Sequence, residues 1–221
     1  MGRIPRLQFS GAHYHVTMRG NAKQRVFLDD WDFTWFVARL GETVIRHEWI
    51  CFGYCVLGNH FHLCVETPKP NLAQGMQLLN GSYAHRFNRR YDRVGHVFQG
   101  PYRSSLIEND RQLLGVSRYI ALNPVRAGLC ARPEVWPWSS YRATIGLEEA
   151  PPWLAIGALL SLYGTDRGLA AIEYRRLVEA ELRDYLETRS PARPGTWLSD
   201  KSVHQVGGQV RGPGPAADSG G

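Results

Sequence analysis

Long apolar runs are missing from this chain of 221 residues. None approaches the ~20 residues that a helix needs to cross a hydrocarbon core, which excludes a helical membrane protein. Met1–Ser10 carries Arg3 and Arg6 with no apolar stretch behind them, so no secretory leader is read there and a cytoplasmic address is expected. Cysteine is scarce as well, with 4 in all. Three of them (Cys51, Cys55, Cys64) sit inside apolar, strand-like runs and Cys130 follows a helical one, unlike the dense spacing of a disulfide scaffold. Reduced, buried thiols are expected. Lysine is scarcer still, since 23 of the 26 basic residues are arginine.

What is present is a globular composition: 43% apolar residues at this length suffice to bury roughly 70% of the unfolded surface. The charge is uneven. Residues 1–145 hold 18 basic against 10 acidic side chains, whereas residues 146–221 hold 8 against 10. Arginine grips phosphate with a planar fork and stacks on bases, so a polyanionic partner is one reading of the basic two thirds. An arginine-rich solvated surface is the other, and charge alone does not choose between them.

Periodicity orders the chain. His13–Arg19 alternates, with Tyr14, Val16 and Met18 on one face and His13, His15, Thr17 and Arg19 on the other, as in a half-buried strand. Asp29 or Asp30 caps a helix to about His47, striped by Phe33, Phe36, Val37, Leu40, Val44 and Ile45. Strands over Ile50–Leu57 and His60–Glu66 flank the hairpin signal Gly58-Asn59. A second helix runs from Asn71 to about Tyr91, and a strand follows the Gly100-Pro101 break. Asp110 caps a third helix, expected to stop near Asn123 because Pro124 disfavours helical geometry before it. The order β-α-β-β-α-β-α is that of a ferredoxin-like α+β sandwich: an antiparallel sheet with helices on one face and an open face carrying the active site. Residues 1–145 are read as that domain and 146–189 as a helical accessory segment (Ala155–Leu162, Gly168–Leu186). The Pro-, Gly- and Ser-rich residues 190–221 are read as a disordered tail.

His60, His62, Cys64 and Glu66 share one face of their strand, with Phe61, Leu63 and Val65 on the other. Two imidazoles at i and i+2 can reach one divalent cation, although polar surface residues on a strand give the same pattern and His13-Tyr14-His15 repeats it. On the third helix Tyr119 and Asn123 lie four apart on one face, presenting a phenol and an amide together, with Arg118 beside Tyr119 and Arg126 just past the helix end.

Those residues resemble a known family. GYCVLGNHFHLCVETP (Gly53–Pro68) with YIALNPVRAGL (Tyr119–Leu129) is similar to the single-tyrosine HUH transposases, in particular the REP-associated tyrosine transposases of bacteria. YHVTMRGN (Tyr14–Asn21) and VFQGPYRS (Val97–Ser104) extend the similarity over roughly residues 10–142. The resemblance implies a single-stranded DNA endonuclease and strand transferase acting beside hairpin, REP-type DNA. It places the nucleophile on Tyr119 and a Mg2+ or Mn2+ site on His60, His62 and Asn123, a position that is Gln in some relatives. It also implies a 5′-phosphotyrosine intermediate with a free 3′-hydroxyl, and a monomer or a homodimer.

For DNA contacts, His15, Arg19, Asn21, Arg25, Arg103 and Arg118 lie in or near these motifs, and Arg126 follows the tyrosine helix. Arg86 and Arg90 recur at i and i+4 on the second helix, beside the aromatics Tyr83, Phe87 and Tyr91, which are read as core. WPWSSY (Trp136–Tyr141) is read as packing. Two other functions compete: a non-catalytic nucleic-acid binder on the same fold, and a structural zinc site of Cys51, Cys55, His60 and His62.

Overall fold

The structure is a computed structural model that describes residues 8–188. The expected tail, 190–221, lies outside the described residues. The chain forms β1 (Ala12–Arg19), α1 (Asp30–Arg46), β2 (Ile50–Val56), β3 (His60–Thr67), α2 (Leu72–Arg90), β4 (Arg103–Ile107) and α3 (Asp110–Arg126). The shorter α4 (Tyr141–Thr144) and α5 (Ile156–Leu160) lead to α6 (Arg167–Thr188). The sheet runs β2-β3-β1-β4, with every neighbouring pair antiparallel. This is the α+β sandwich that the periodicity predicts.

The main core lies between the sheet and α1 with α2. From β1 it takes Tyr14, Val16 and Met18, and from β3 Phe61, Leu63 and Val65. The Asp29 side chain caps α1 by accepting from Asp32 N at 3.1 Å, and Phe33, Phe36, Leu40 and Val44 fill the groove beneath. Ile45, expected in that stripe, is 66% exposed, because one step past Val44 turns its side chain out of the packed face. From α2 come Leu72, Met76, Leu79, Tyr83 and Phe87, so the two aromatics are core as expected. Trp153 presses so close on α1 that a Cβ at Gly41 would lie 2.4 Å from its Nε1, which leaves glycine as the residue that fits.

The second face bears α3. A smaller core of Phe52, Cys55, Leu57 and Cys64 from the sheet meets Leu113 and Ile120 of α3 and Leu159 of α5. The face expected to be open is therefore partly roofed, and the candidate site lies under that roof. The signal was present in β2, whose almost unbroken apolar run marks a strand buried on both sides. α3 also passes through Pro124 to Arg126 instead of stopping at Asn123. A proline in the last turn removes one donor to the Ile120 carbonyl, and the loss is offset by burying Leu122, Asn123, Pro124 and Val125. Its cap is Asn109, one residue earlier than expected, whose side chain accepts from Gln112 N.

The outer edge of β2 is covered by Trp138–Ser140: Val56 N donates to Trp138 O at 2.8 Å and Ser140 N to Tyr54 O at 3.0 Å. The Trp136 indole donates to Val56 O at 2.9 Å and Trp138 stacks on Phe33 at 5.0 Å, so the WPWSSY segment packs. α6 lies along α3, its Tyr174 hydroxyl donating to Ser117 O at 3.2 Å. Among the described residues no helix is long and apolar enough to cross a membrane.

Candidate active site

Strand register assembles the site. In the β1–β3 pair Arg19 faces His60, Thr17 faces His62 and His15 faces Cys64, so these side chains share the α3 side of the sheet. His15 and His62 are diagonal neighbours, stacked at 5.2 Å between ring centroids, with His15 Nε2 3.0 Å from His62 Nδ1. His60 joins edge-on at 5.1 Å from His62. Its Nδ1 is 2.6 Å from Asn59 Oδ1, which can only accept, so the proton lies on Nδ1 and the lone pair on Nε2. All three imidazoles are 6% exposed or less.

Tyr119 reaches the cluster from α3. Its ring meets His62 at 5.6 Å and His15 at 5.7 Å, both near-perpendicular. Asn123, one turn on, is buried and donates its amide Nδ2 to Tyr119 O at 3.0 Å, which leaves Oδ1 as its acceptor end. The Arg126 guanidinium lies 4.9 Å from the Tyr119 ring centroid.

The electrostatics keep His60 and His62 neutral. Burial, and secondarily the positive Arg19, lowers His60 to about 4. His62 is held well below its ordinary value by burial, then by His60, His15 and Arg19. The His15–His62 contact shares one proton, and the tautomer in which His62 donates from Nδ1 leaves Nε2 with a lone pair. That Nε2 is buried without a hydrogen-bond partner. A buried, unpartnered imidazole nitrogen beside a second imidazole, with an amide oxygen on the facing helix, is a donor set that suits a divalent cation. Among the described residues no three His, Cys, Asp or Glu side chains cluster to hold a metal, and the Asn123 amide, one turn beyond Tyr119 on α3, is a further candidate donor.

The depressed values make stability depend on pH. Between about pH 6.5 and 4 the unfolded chain takes up a proton at His60 that the metal-free folded protein refuses, so stability is lost as pH falls through that window. The loss is on the order of 3 kcal/mol for His60. Urea unfolding at pH 7 and pH 4.5 should show it, and His60→Gln should reduce the difference while leaving the part that the depressed His62 contributes.

Other expected site residues are distributed differently. Arg19 ends β1 opposite His60, and Arg103 is exposed opposite Thr17, both on the site side. Arg25 lies against Gly58 at the hairpin before His60, and Asn21 is exposed in the adjoining turn. His15, expected to contact DNA, is instead buried between His62 and Tyr119 because α3 covers its strand face. Arg118 precedes Tyr119 on α3 and Arg126 lies over its ring, and both arginines pair with Glu181 of α6.

Arg86 and Arg90 belong to the opposite side of the sheet. Arg90 bonds Asp29 at 2.6 Å and the buried Asp32 at 2.7 Å, and both guanidiniums lie over Trp31. Their i, i+4 spacing is the same for a pair that ties α2 to α1 as for one that faces DNA. Arg90→Ala should therefore lower the unfolding midpoint, by stranding the Asp32 carboxylate, and leave DNA affinity unchanged in a binding titration. The zinc reading also fails on placement, since Cys51 faces the main core while Cys55 faces α3, and burial pushes the Cys51 thiol up to about 12. Asn59 and Glu181 escaped the sequence reading. Asn59 adjoins His60 and could have been found as its support, but nothing local marks Glu181.

Comparison with known proteins bears on the family and the fold. A Haemophilus influenzae protein, named as a candidate REP-associated tyrosine transposase, is 24% identical over 152 residues, covering 64% of this chain and 86% of its own. A solved REP-associated tyrosine transposase, bound to a REP hairpin, superposes with a TM-score of 0.58 at 16% identity, over 68% of this chain and 89% of that one. The profile of the family described as transposase IS200 like matches residues 8–123, just over half of the chain and inclusive of His15, His60, His62, Tyr119 and Asn123. The chain therefore belongs to the IS200-like transposase family, with REP-associated tyrosine transposases among the proteins it is similar to.

Proposed function

We propose that this protein cleaves and rejoins single-stranded DNA next to a REP-type hairpin by transesterification at Tyr119. The observation that carries the reading is the convergence of Tyr119 from α3 on the buried His15–His62 pair of β1 and β3. Tyr119 Oη attacks the phosphorus, the new O–P bond forms a 5′-phosphotyrosine, and the P–O3′ bond breaks to release the 3′-oxygen, which takes up a proton. The phenolic proton leaves to solvent. One phosphodiester replaces another, so a 3′-hydroxyl can reverse the step and join strands without ATP.

His60 and His62, through Nε2, and Asn123, through Oδ1, would hold Mg2+ or Mn2+, which when bound neutralises the phosphodiester charge that repels a nucleophile. His15 fixes the orientation of His62, and Asn59 that of His60. Arg19, Arg25 and Arg103, with Asn21, line the approach on the site side and hold backbone phosphates.

The solved relative bound to a REP hairpin supports a hairpin as the structural substrate. The test is incubation of the full-length protein with single-stranded oligonucleotides carrying the hairpins that flank its gene, with and without Mg2+. A protein–DNA adduct stable to denaturation, formed with Mg2+, is expected. Binding with no adduct in any condition would overturn the enzyme in favour of a binder on the same fold.

A further inference from the structure

One carboxylate from the C-terminal helix joins two arginines of α3. Glu181 of α6 accepts from Arg118 Nε at 3.1 Å through one oxygen and from Arg126 Nη2 at 2.8 Å through the other. All three side chains are between a quarter and a third exposed, so the bridge is partly shielded from water. Arg126 is seven residues beyond Tyr119, two helical turns along the same face, and its guanidinium folds back over the Tyr119 ring. α6 is docked around this point: Tyr174 donates to Ser117 O, and the Tyr185 hydroxyl to Arg126 O at 3.4 Å.

Arginine has many rotamers and a fixed fork of five N–H donors. Glu181 takes one donor from each arginine and Arg118 also bonds the Tyr163 side chain, which restricts both guanidiniums and leaves the remaining donors oriented. Two positive groups and one negative one leave a net positive charge beside Tyr119. Arg126 Nε in addition is buried with no hydrogen-bond partner. That balance suits a phosphate better than it suits concealment of the arginines, for which one carboxylate against two guanidiniums is too little charge.

We infer that Glu181 is a positioning residue for DNA cleavage, holding Arg126 over Tyr119 and tying it to Arg118 so that the remaining donors of the pair meet the phosphates next to the bond under attack. The inference rests on Tyr119 as nucleophile. Glu181 lies outside the residues matched to the family, 8–123, so the C-terminal segment supplies part of the active site.

The experiment measures adduct formation at saturating hairpin oligonucleotide with Mg2+, and DNA affinity separately, for the full-length protein. Glu181→Ala should slow adduct formation about tenfold or more, since small misplacements of a reacting geometry are costly, while affinity weakens far less. Glu181→Asp should recover part of the rate. In a protein already carrying Arg118→Ala and Arg126→Ala, Glu181→Ala should cost less than about twofold more, as expected when one residue acts through others. Should Glu181→Ala fail to fold, Glu181→Gln, which keeps the shape, replaces it in each comparison. Faster cleavage with tighter binding in Glu181→Ala would show that the carboxylate masks the arginines and would overturn the inference. So would an unchanged rate, or an undiminished loss in the double-arginine background. An absence of adduct with the wild-type protein would overturn the tyrosine reading itself, and this inference with it.

Discussion

Tyr119→Phe should bind hairpin DNA and metal as the wild type does and form no covalent adduct, a loss on the order of 10^4-fold or more in cleavage. The substitution removes one oxygen and keeps the ring, whose edge-on packing with His15 and His62 and whose cover by Arg126 hold α3 to the sheet. Stability should therefore change little in thermal unfolding. Substitution by a neighbouring tyrosine is blocked by the fold. Tyr14, Tyr102 and Tyr141 all lie in the main core, 8% exposed or less, with the sheet or the β2 edge between them and the histidines. Tryptic digestion of the wild-type adduct should accordingly place the nucleotide on the peptide from Tyr119 to Arg126. A nucleotide on another tyrosine, or an adduct formed by Tyr119→Phe, would remove Tyr119 from the chemistry.

His62→Ala should abolish divalent-dependent cleavage, by roughly 10^3-fold or more, and lower Mn2+ affinity in a calorimetric titration. Of the two strand histidines, His62 has the larger expected effect. It is the central member of the cluster, in contact with His15, His60 and Tyr119 at once, and its unpartnered Nε2 has no role in holding the fold. DNA affinity should largely survive, because the proposed phosphate contacts come from arginines, and such contacts carry most of the salt-dependent binding energy. Full activity in His62→Ala would take this nitrogen out of the metal site, and undiminished Mn2+ affinity would move the ion elsewhere.

The sequence by itself determined the main elements and the topology. Alternation in β1 and β3, the Gly58-Asn59 hairpin and two amphipathic helices are local patterns, set by backbone periodicity and turn chemistry over a few residues, and they survive into the fold nearly unchanged. The spacings of His60 with His62 and of Tyr119 with Asn123 are visible on single elements, but spacing alone fits ordinary surface and core residues equally, and the resemblance to the tyrosine transposases is what singled the two pairs out.

Where partners come from separate elements, only the tertiary structure decided. The packing of α3 on the second face turned His15 from an expected DNA contact into the buried support of His62, and it let a proline be carried in the last helical turn. Arg86 and Arg90 have the spacing of a binding stripe, yet the position of α1 supplies them with Asp29, Asp32 and Trp31. Glu181 meets Arg118 across 63 positions of chain, a separation over which no periodic signal persists. Periodicity says which face a side chain occupies; what lies across that face is set by the burial of apolar surface between elements far apart in sequence, and that is a property of the folded whole.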